Sequence, residues 1–270
     1  MLRSRRASSR GSRASSARAI VLGTLLASGC SAFPSAARLE AETPTSGPMI
    51  VAIDTEAASR GAPIYTRYCE TCHGVRGDGR GSSAGNMNPR PRNFVAAIYK
   101  CRATPNSSLP LPRDLRRTVS AGIHATAMPA WNVLGDAQIY EVVEYVRTFS
   151  PRWRTEPVPP PVAIATETPD DNGSRARGRA IYDRVGCSAC HGSGGRGDGP
   201  AVPSLRDDNG QPIVPFDFTG SNPLRCGSAP AELYRTLVSG VDGTPMPSFS
   251  TTMPPADLWD LVHFVMSLRE

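Results

Sequence analysis

One pattern constrains this chain more than any other: the pentapeptide Cys-x-x-Cys-His occurs twice, as CETCH at 69–73 and CSACH at 187–191. Neither copy stands alone. Gly-x-x-Ile-Tyr precedes each, at 61–65 and 178–182, and Gly-Asp-Gly follows each, at 77–79 and 197–199. Further along, DLRRTVSAGI (114–123) matches ELYRTLVSGV (232–241), and TAMPAW (126–131) matches TPMPSF (244–249). Lastly, YEVVEYV (140–146) matches WDLVHFV (259–265). Cys69 and Cys187 are 118 residues apart, and so are Met128 and Met246. An interval this long marks a duplicated domain and not a solenoid unit. The 270 residues therefore carry two segments of similar length, 57–151 and 175–270.

Two thiols three positions apart, followed at once by an imidazole, are the arrangement that attaches a haem covalently. The thiols form thioethers to the vinyl groups, and the histidine reaches the iron from one side. A zinc site would want four clustered soft ligands, and a thioredoxin-like redox pair would want a βαβ context. Neither accompanies the motif. Cys69, Cys72 and His73 are thus read as one haem site, and Cys187, Cys190 and His191 as a second. The opposite face of each iron needs a ligand from further along the same segment. Met128 lies 55 residues beyond His73, and Met246 lies 55 beyond His191. Each stands in a Met-Pro pair, and proline holds the preceding residue extended, which suits a loop that presents a thioether. Met87 and Met253 have no methionine counterpart in the repeat. His/Met ligation raises the reduction potential and fills both axial positions. Such an iron exchanges electrons through the haem edge and offers no site to a substrate.

The periodicity is helical. A short helix is expected to end just before each Cys-x-x-Cys-His, a second over 113–121 and 229–239, and a last over 136–150 and 255–268. In the last pair, Ile139, Val142, Val143, Val146 and Phe149 correspond to Leu258, Leu261, Val262, Val265 and Leu268. That is the i, i+3, i+4, i+7 stripe of a helix packed on one face. Gly, Pro and Asn fill the stretches between, which read as loops, and no strand pattern is evident. Residues 152–174, with Pro157 and Pro159 to Pro161, are expected to be a stiff, extended linker.

The N-terminus reads as an export signal over 1–29: six arginines, then an apolar run from Ala19 to Ala27. Ser28, Gly29 and Cys30 resemble the bacterial lipoprotein signal, which implies that Cys30 is lipidated and begins the mature chain. Residues 30–56 then form a flexible tether, with a typical span of about 25–30 Å. Removing the six signal arginines leaves 24 basic against 24 acidic residues. The mature protein is therefore near neutral and gives no nucleic-acid signal. Localisation is expected at the periplasm-facing side of a bacterial membrane, inner or outer being open.

Two cysteines remain. Cys101 and Cys226 stand at similar places in the repeat, in YKCRATP and LRCGSAP, each shortly before the middle helix. In an oxidising compartment they are candidates for a disulfide between the halves. The other readings are two buried free thiols, or a thiolate ligand to iron. His124, whose place Asp242 takes in the second half, reads as a loop-surface histidine, and His263 as a structural one. Arg113, Arg116 and Arg117 read as a solvated face, the other reading being that they meet propionates or an acidic partner.

Each segment resembles a class I cytochrome c domain: N-terminal helix, CxxCH, loops, a Met-Pro ligand and a C-terminal helix. The resemblance implies an all-α fold of two tandem domains with two covalently bound haem c groups. It also implies a close Gly–aromatic crossing of first and last helices, filled by Gly61 with Tyr145 and Gly178 with Phe264. The function it implies is electron transfer, by a carrier and not an enzyme, between respiratory-chain redox partners. The alternative is a dihaem enzyme, such as a thiosulfate dehydrogenase or peroxidase, that uses one haem as its active site.

Overall fold

The computed structural model describes residues 47–269. The export signal 1–29, Cys30 and the tether as far as residue 46 lie outside the described residues. Among those described, extended pairing is confined to two isolated bridges, Met49 with Val158 and Arg206 with Pro212. The first half carries α1 (Thr55–Tyr68), α2 (Glu70–His73), α3 (Pro112–Ala121), α4 (Gly135–Thr148) and α5 (Arg152–Thr155). The second carries α6 (Asn172–Arg184), α7 (Cys187–His191), α8 (Pro230–Ser239) and α9 (Pro255–Ser267). The expected ranges differ by one or two residues at their ends, where helices fray.

Local chemistry places the helix starts. Asp54 caps α1 by accepting from the Ala57 N–H at 3.1 Å, and Asp171 caps α6 by accepting from Ser174 N–H at 2.8 Å. α3 and α8 each begin on a proline, whose missing N–H costs nothing at that position. Three residues into each, Asp114 and Glu232 reach back to the Leu111 and Ala229 N–H groups, both at 3.1 Å.

Each half is built on a crossing of its first and last helices, α1 with α4 and α6 with α9. A glycine sits at each crossing. A β-carbon on Gly61 would stand 2.0 Å from the Glu141 carbonyl oxygen, and one on Gly178 would stand 1.9 Å from that of Asp260. The partner of each glycine is thus first a backbone carbonyl. In the second half the Phe264 β-carbon follows at 2.8 Å, whereas Tyr145 is not among the nearest neighbours of Gly61. The aromatics pack one turn further along instead, Tyr65 on Tyr145 at 5.3 Å and Tyr182 on Phe264 at 5.2 Å. A salt bridge clamps each crossing from outside: Arg60 to Glu141 at 2.6 Å and Arg177 to Asp260 at 2.7 Å.

Two segments expected to be connectors are packed. Residues 49–54, expected within the tether, run along the first half. Met49 pairs with Val158, Val51 is buried, and Arg147 donates to the Val51 carbonyl. Residues 152–174, expected to be a linker, form a strap over both halves. Trp153 and Val158 are buried at its start, with the Arg147 guanidinium 4.8 Å from the Trp153 ring centroid. Val162 N–H then donates to the Ala103 carbonyl at 2.7 Å. The Ala165 carbonyl accepts from the Trp259 indole at 3.1 Å, and Glu167 meets His263 at 3.3 Å. Proline composition signals an extended backbone, and that backbone is present over 156–171, between α5 and α6. What it does not signal is that interspersed Trp and Val side chains find a groove.

Cys101 and Cys226 form a disulfide between the halves, with their Cα atoms 5.0 Å apart. Beside it, fully buried Arg102 meets Asp242 at 2.9 Å. Arg102 also donates to the Ser239 carbonyl at 2.6 Å, and Asp242 accepts from Ser107 N–H at 3.1 Å. Arg117 does not belong to a solvated face: it crosses to Glu232 of the other half at 3.4 Å. α3 and α8, counterparts in the repeat, therefore meet through Arg117, Glu232 and Arg235.

Candidate haem sites

In the first half, Cys69, Cys72, His73 and Met128 line one cavity of about 170 Å³. In the second, Cys187, Cys190, His191 and Met246 line another, of about 460 Å³. The structure thus brings each Cys-x-x-Cys-His together with the methionine 55 residues away. The motif itself is a single helical turn, α2 or α7, which sets the two cysteines and the histidine on one side. Gly74 and Gly192 end these turns at φ +82° and +77°, a conformation that glycine adopts without strain. Their carbonyls accept from buried tyrosines, Tyr65 at 2.6 Å and Tyr182 at 2.8 Å.

Burial sets the protonation of these groups. It lowers the pKa of both His73 and His191, so the rings are neutral and hold a free lone pair for a metal. The Arg92 carbonyl accepts a hydrogen bond from His73 Nδ1–H at 3.0 Å, which leaves the lone pair on Nε2. At His191 the Phe216 carbonyl plays that part more loosely. It opposes the effect of burial, but Nδ1 closes no hydrogen bond within normal geometry. Burial also pushes the Cys69 and Cys187 thiols up to about 11, which keeps them as thiols. All four motif cysteines are free of disulfides.

The methionine loops are built alike. Thr126 Oγ1 accepts from Met128 N–H at 3.1 Å while donating to the Ile123 carbonyl at 2.7 Å. Thr244 does the same for Met246 and Val241, at 3.2 and 2.7 Å. Ile123 N–H to the Met128 carbonyl, and Val241 N–H to the Met246 carbonyl, close each loop at 3.0 and 3.1 Å. Met87 lines the first cavity as Leu205 lines the second, each just after a short 3₁₀ turn, so it serves there as apolar wall. Met253 is buried in the core of the second half. His124 is exposed, and His263 is buried against Ser174 Oγ at 2.5 Å.

Two residues were missed in the sequence. Phe94 stacks on His73 with centroids 4.4 Å apart and planes at 18°, and Phe218 stacks on His191 at 4.7 Å and 21°. Both fix the plane of an imidazole. Their signal was present as Pro-x-x-Phe at 91–94 and 215–218, hidden because the intervening loop is longer in the second half. Among the described residues no group of three or more His, Cys, Asp or Glu could hold a metal ion.

The two cavities share a wall. Pro89, Lys100, Cys101, Ile123 and Arg225 line both, so the disulfide stands between the two sites. The residues fit two covalently held haems: paired thiols, a neutral oriented imidazole and a thioether, around a largely apolar cavity.

The family model described as cytochrome c oxidase, cbb3-type, subunit III matches twice, over residues 56–146 and 173–265. Among solved structures, the chain is similar to one in the Kuenenia stuttgartiensis reducing HAO-like protein complex Kustc0457/Kustc0458. The two share 37% identity at a TM-score of 0.77, over 82% of this chain and 100% of that one. No curated protein matches. The chain belongs to the family described as cytochrome c oxidase, cbb3-type, subunit III, as two tandem helical cytochrome c domains that carry two covalently bound haem c groups.

Proposed function

We propose that this protein is an exported, lipid-anchored electron carrier in which His73 with Met128, and His191 with Met246, clamp two irons that exchange electrons with respiratory-chain partners. One observation carries the reading: each Cys-x-x-Cys-His shares a cavity with a methionine, and the two cavities share a wall. Bound haem supplies a one-electron iron couple. The chain's own residues do the rest. His73 is buried and His191 partly so, burial lowers the pKa of both rings, and Thr126 and Thr244 pin the loops of Met128 and Met246, so that these four side chains would hold the two irons. Cys101 and Cys226 are consumed in their disulfide, which leaves neither as a thiolate ligand for a thiosulfate dehydrogenase type of site.

Near-infrared and EPR spectra of the ferric holoprotein test this. Methionine–iron charge transfer accounting for both haems is the expected result. A high-spin or thiolate-ligated haem would return the dihaem-enzyme reading. The anchor is tested separately: labelled fatty acid should enter the exported chain and be lost in Cys30→Ala.

A second reading is favoured by the solved relative, which belongs to a complex and is covered along its whole length. On that reading the chain is the electron-transfer subunit of a permanent redox assembly. Purification of the native protein as a lone chain, after release of the anchor, would exclude it.

A further inference from the structure

We propose that Lys100 and Arg225, one from each half, form a single cationic seat for propionate carboxylates of both haems, so that each half helps neutralise the other half's cofactor. The inference rests on the two-haem reading above. Both side chains line both cavities. They are counterparts in the repeat, each directly preceding a cysteine of the disulfide, which brings them to the shared wall. Arg92 joins them on the first cavity, and its ion-pair partner Asp208 is 3.9 Å away in the other half.

The nearby carboxylates, Asp207 and Asp208, act on Lys100 and Arg92, and among the described residues none is recorded on Arg225. Burial, and then the nearby Arg92 and Arg225 guanidiniums, push the Lys100 ammonium down to about 8. Burial likewise lowers Arg92 and Arg225. The buried Nε of Arg225 has no hydrogen-bond partner among the described residues, and its guanidinium lies 5.9 Å from the Phe216 ring centroid. A buried guanidinium nitrogen left without an acceptor is costly unless an anion meets it. A haem is apolar apart from its two carboxylates, and guanidinium and ammonium groups are the donors that hold carboxylates best. The only part of the cofactor that suits this stretch of wall is the propionate edge.

A cation beside an iron site favours the reduced state, so loss of that charge lowers the potential. Because the seat is shared, one substitution must be felt at both irons. The test is a site-resolved redox titration of the holoprotein, by NMR or EPR, for wild type, Lys100→Met and Arg225→Met. Each variant is expected to lower both midpoint potentials, while Lys100→Arg restores them and the exposed Arg76→Gln moves neither. The seat is refuted if each substitution moves only the haem of its own half, or moves none. Should Lys100→Met fail to accumulate, Lys100→Gln and Arg225→Gln give the same two-site readout. Haem content keeps the two questions apart. A wild-type chain with fewer than two haems sinks the dihaem reading, whereas two haems with unmoved potentials sink the seat alone.

Discussion

The two halves of the molecule agree around the cavities and disagree where they join. Gly61 and Gly178 each meet a carbonyl, Arg60 and Arg177 each clamp the helix crossing, and Phe94 and Phe218 each stack on the motif histidine. The join is different. Arg102, buried in the first half, corresponds to Gly227 in the second; Asp242, buried in the second, corresponds to exposed His124 in the first. A twofold arrangement would allow two such ion pairs, and only one is built, at 2.9 Å. The helix position shared by Glu144 and His263 shows a third pattern. Both are about 1% exposed and both anchor the chain entering their domain, but with different chemistry. Glu144 holds Asp54 N–H and Arg147, whereas His263 holds Ser174 and Glu167. The cofactor cradle is repeated because each copy performs the same task. The Arg102–Asp242 pair is made once because its counterpart positions carry Gly227 and His124.

This comparison can be broken experimentally. The largest effect should come from removing one cradle. Replacing Cys69 and Cys72 by Ser, or Cys187 and Cys190 by Ser, should each cut haem content from two per chain to one and erase one redox wave. If either pair abolishes both haems, the cradles are not independent. Next is the lock: Asp242→Asn removes the counter-charge of buried Arg102 and should cost about 3–5 kcal/mol of stability. The matching change at exposed His124 should stay within about 0.5 kcal/mol in denaturant unfolding. Replacing both Cys101 and Cys226 by Ser opens a link across 125 residues and should cost about 2–4 kcal/mol. Gly61→Ala and Gly178→Ala should each cost about 1–3 kcal/mol by overpacking, and by similar amounts, since both would press a methyl on a carbonyl. Below the glycines come Phe94→Leu and Phe218→Leu, about 0.5–1.5 kcal/mol from lost stacking. Each should also shift the hyperfine pattern of its own haem alone.

Much of the cradle was legible because it is written in short, regular spacing. Cys-x-x-Cys-His is one helical turn, the apolar stripes of α4 and α9 recur at helical period, and the repeat doubles every signal. Phe94 and Phe218 escaped because the loops before them differ in length and the repeat slips out of register there. The strap and residues 49–54 escaped for another reason. Pro-rich, polar composition describes the solubility of a segment, but Trp153, Val158 and Val51 bury themselves only because a groove is formed by residues far away in the chain. Arg117 was taken for a surface cation because its partner, Glu232, lies in the other half.

The sequence by itself determined that two copies of one helical haem-attaching domain follow each other, pointed to the Cys, His and Met side chains that line each cavity, and placed two leftover cysteines at equivalent positions. These are local patterns, set by the helical period and the reach of a few residues. Only the tertiary structure decided how the copies face each other. Contacts between Cys101 and Cys226, Arg102 and Asp242, or Arg117 and Glu232 join residues more than a hundred positions apart. No periodicity reports such a separation. It follows from which faces remain to be covered once each half has folded about its own cavity, and that puts the two redox sites on one shared wall.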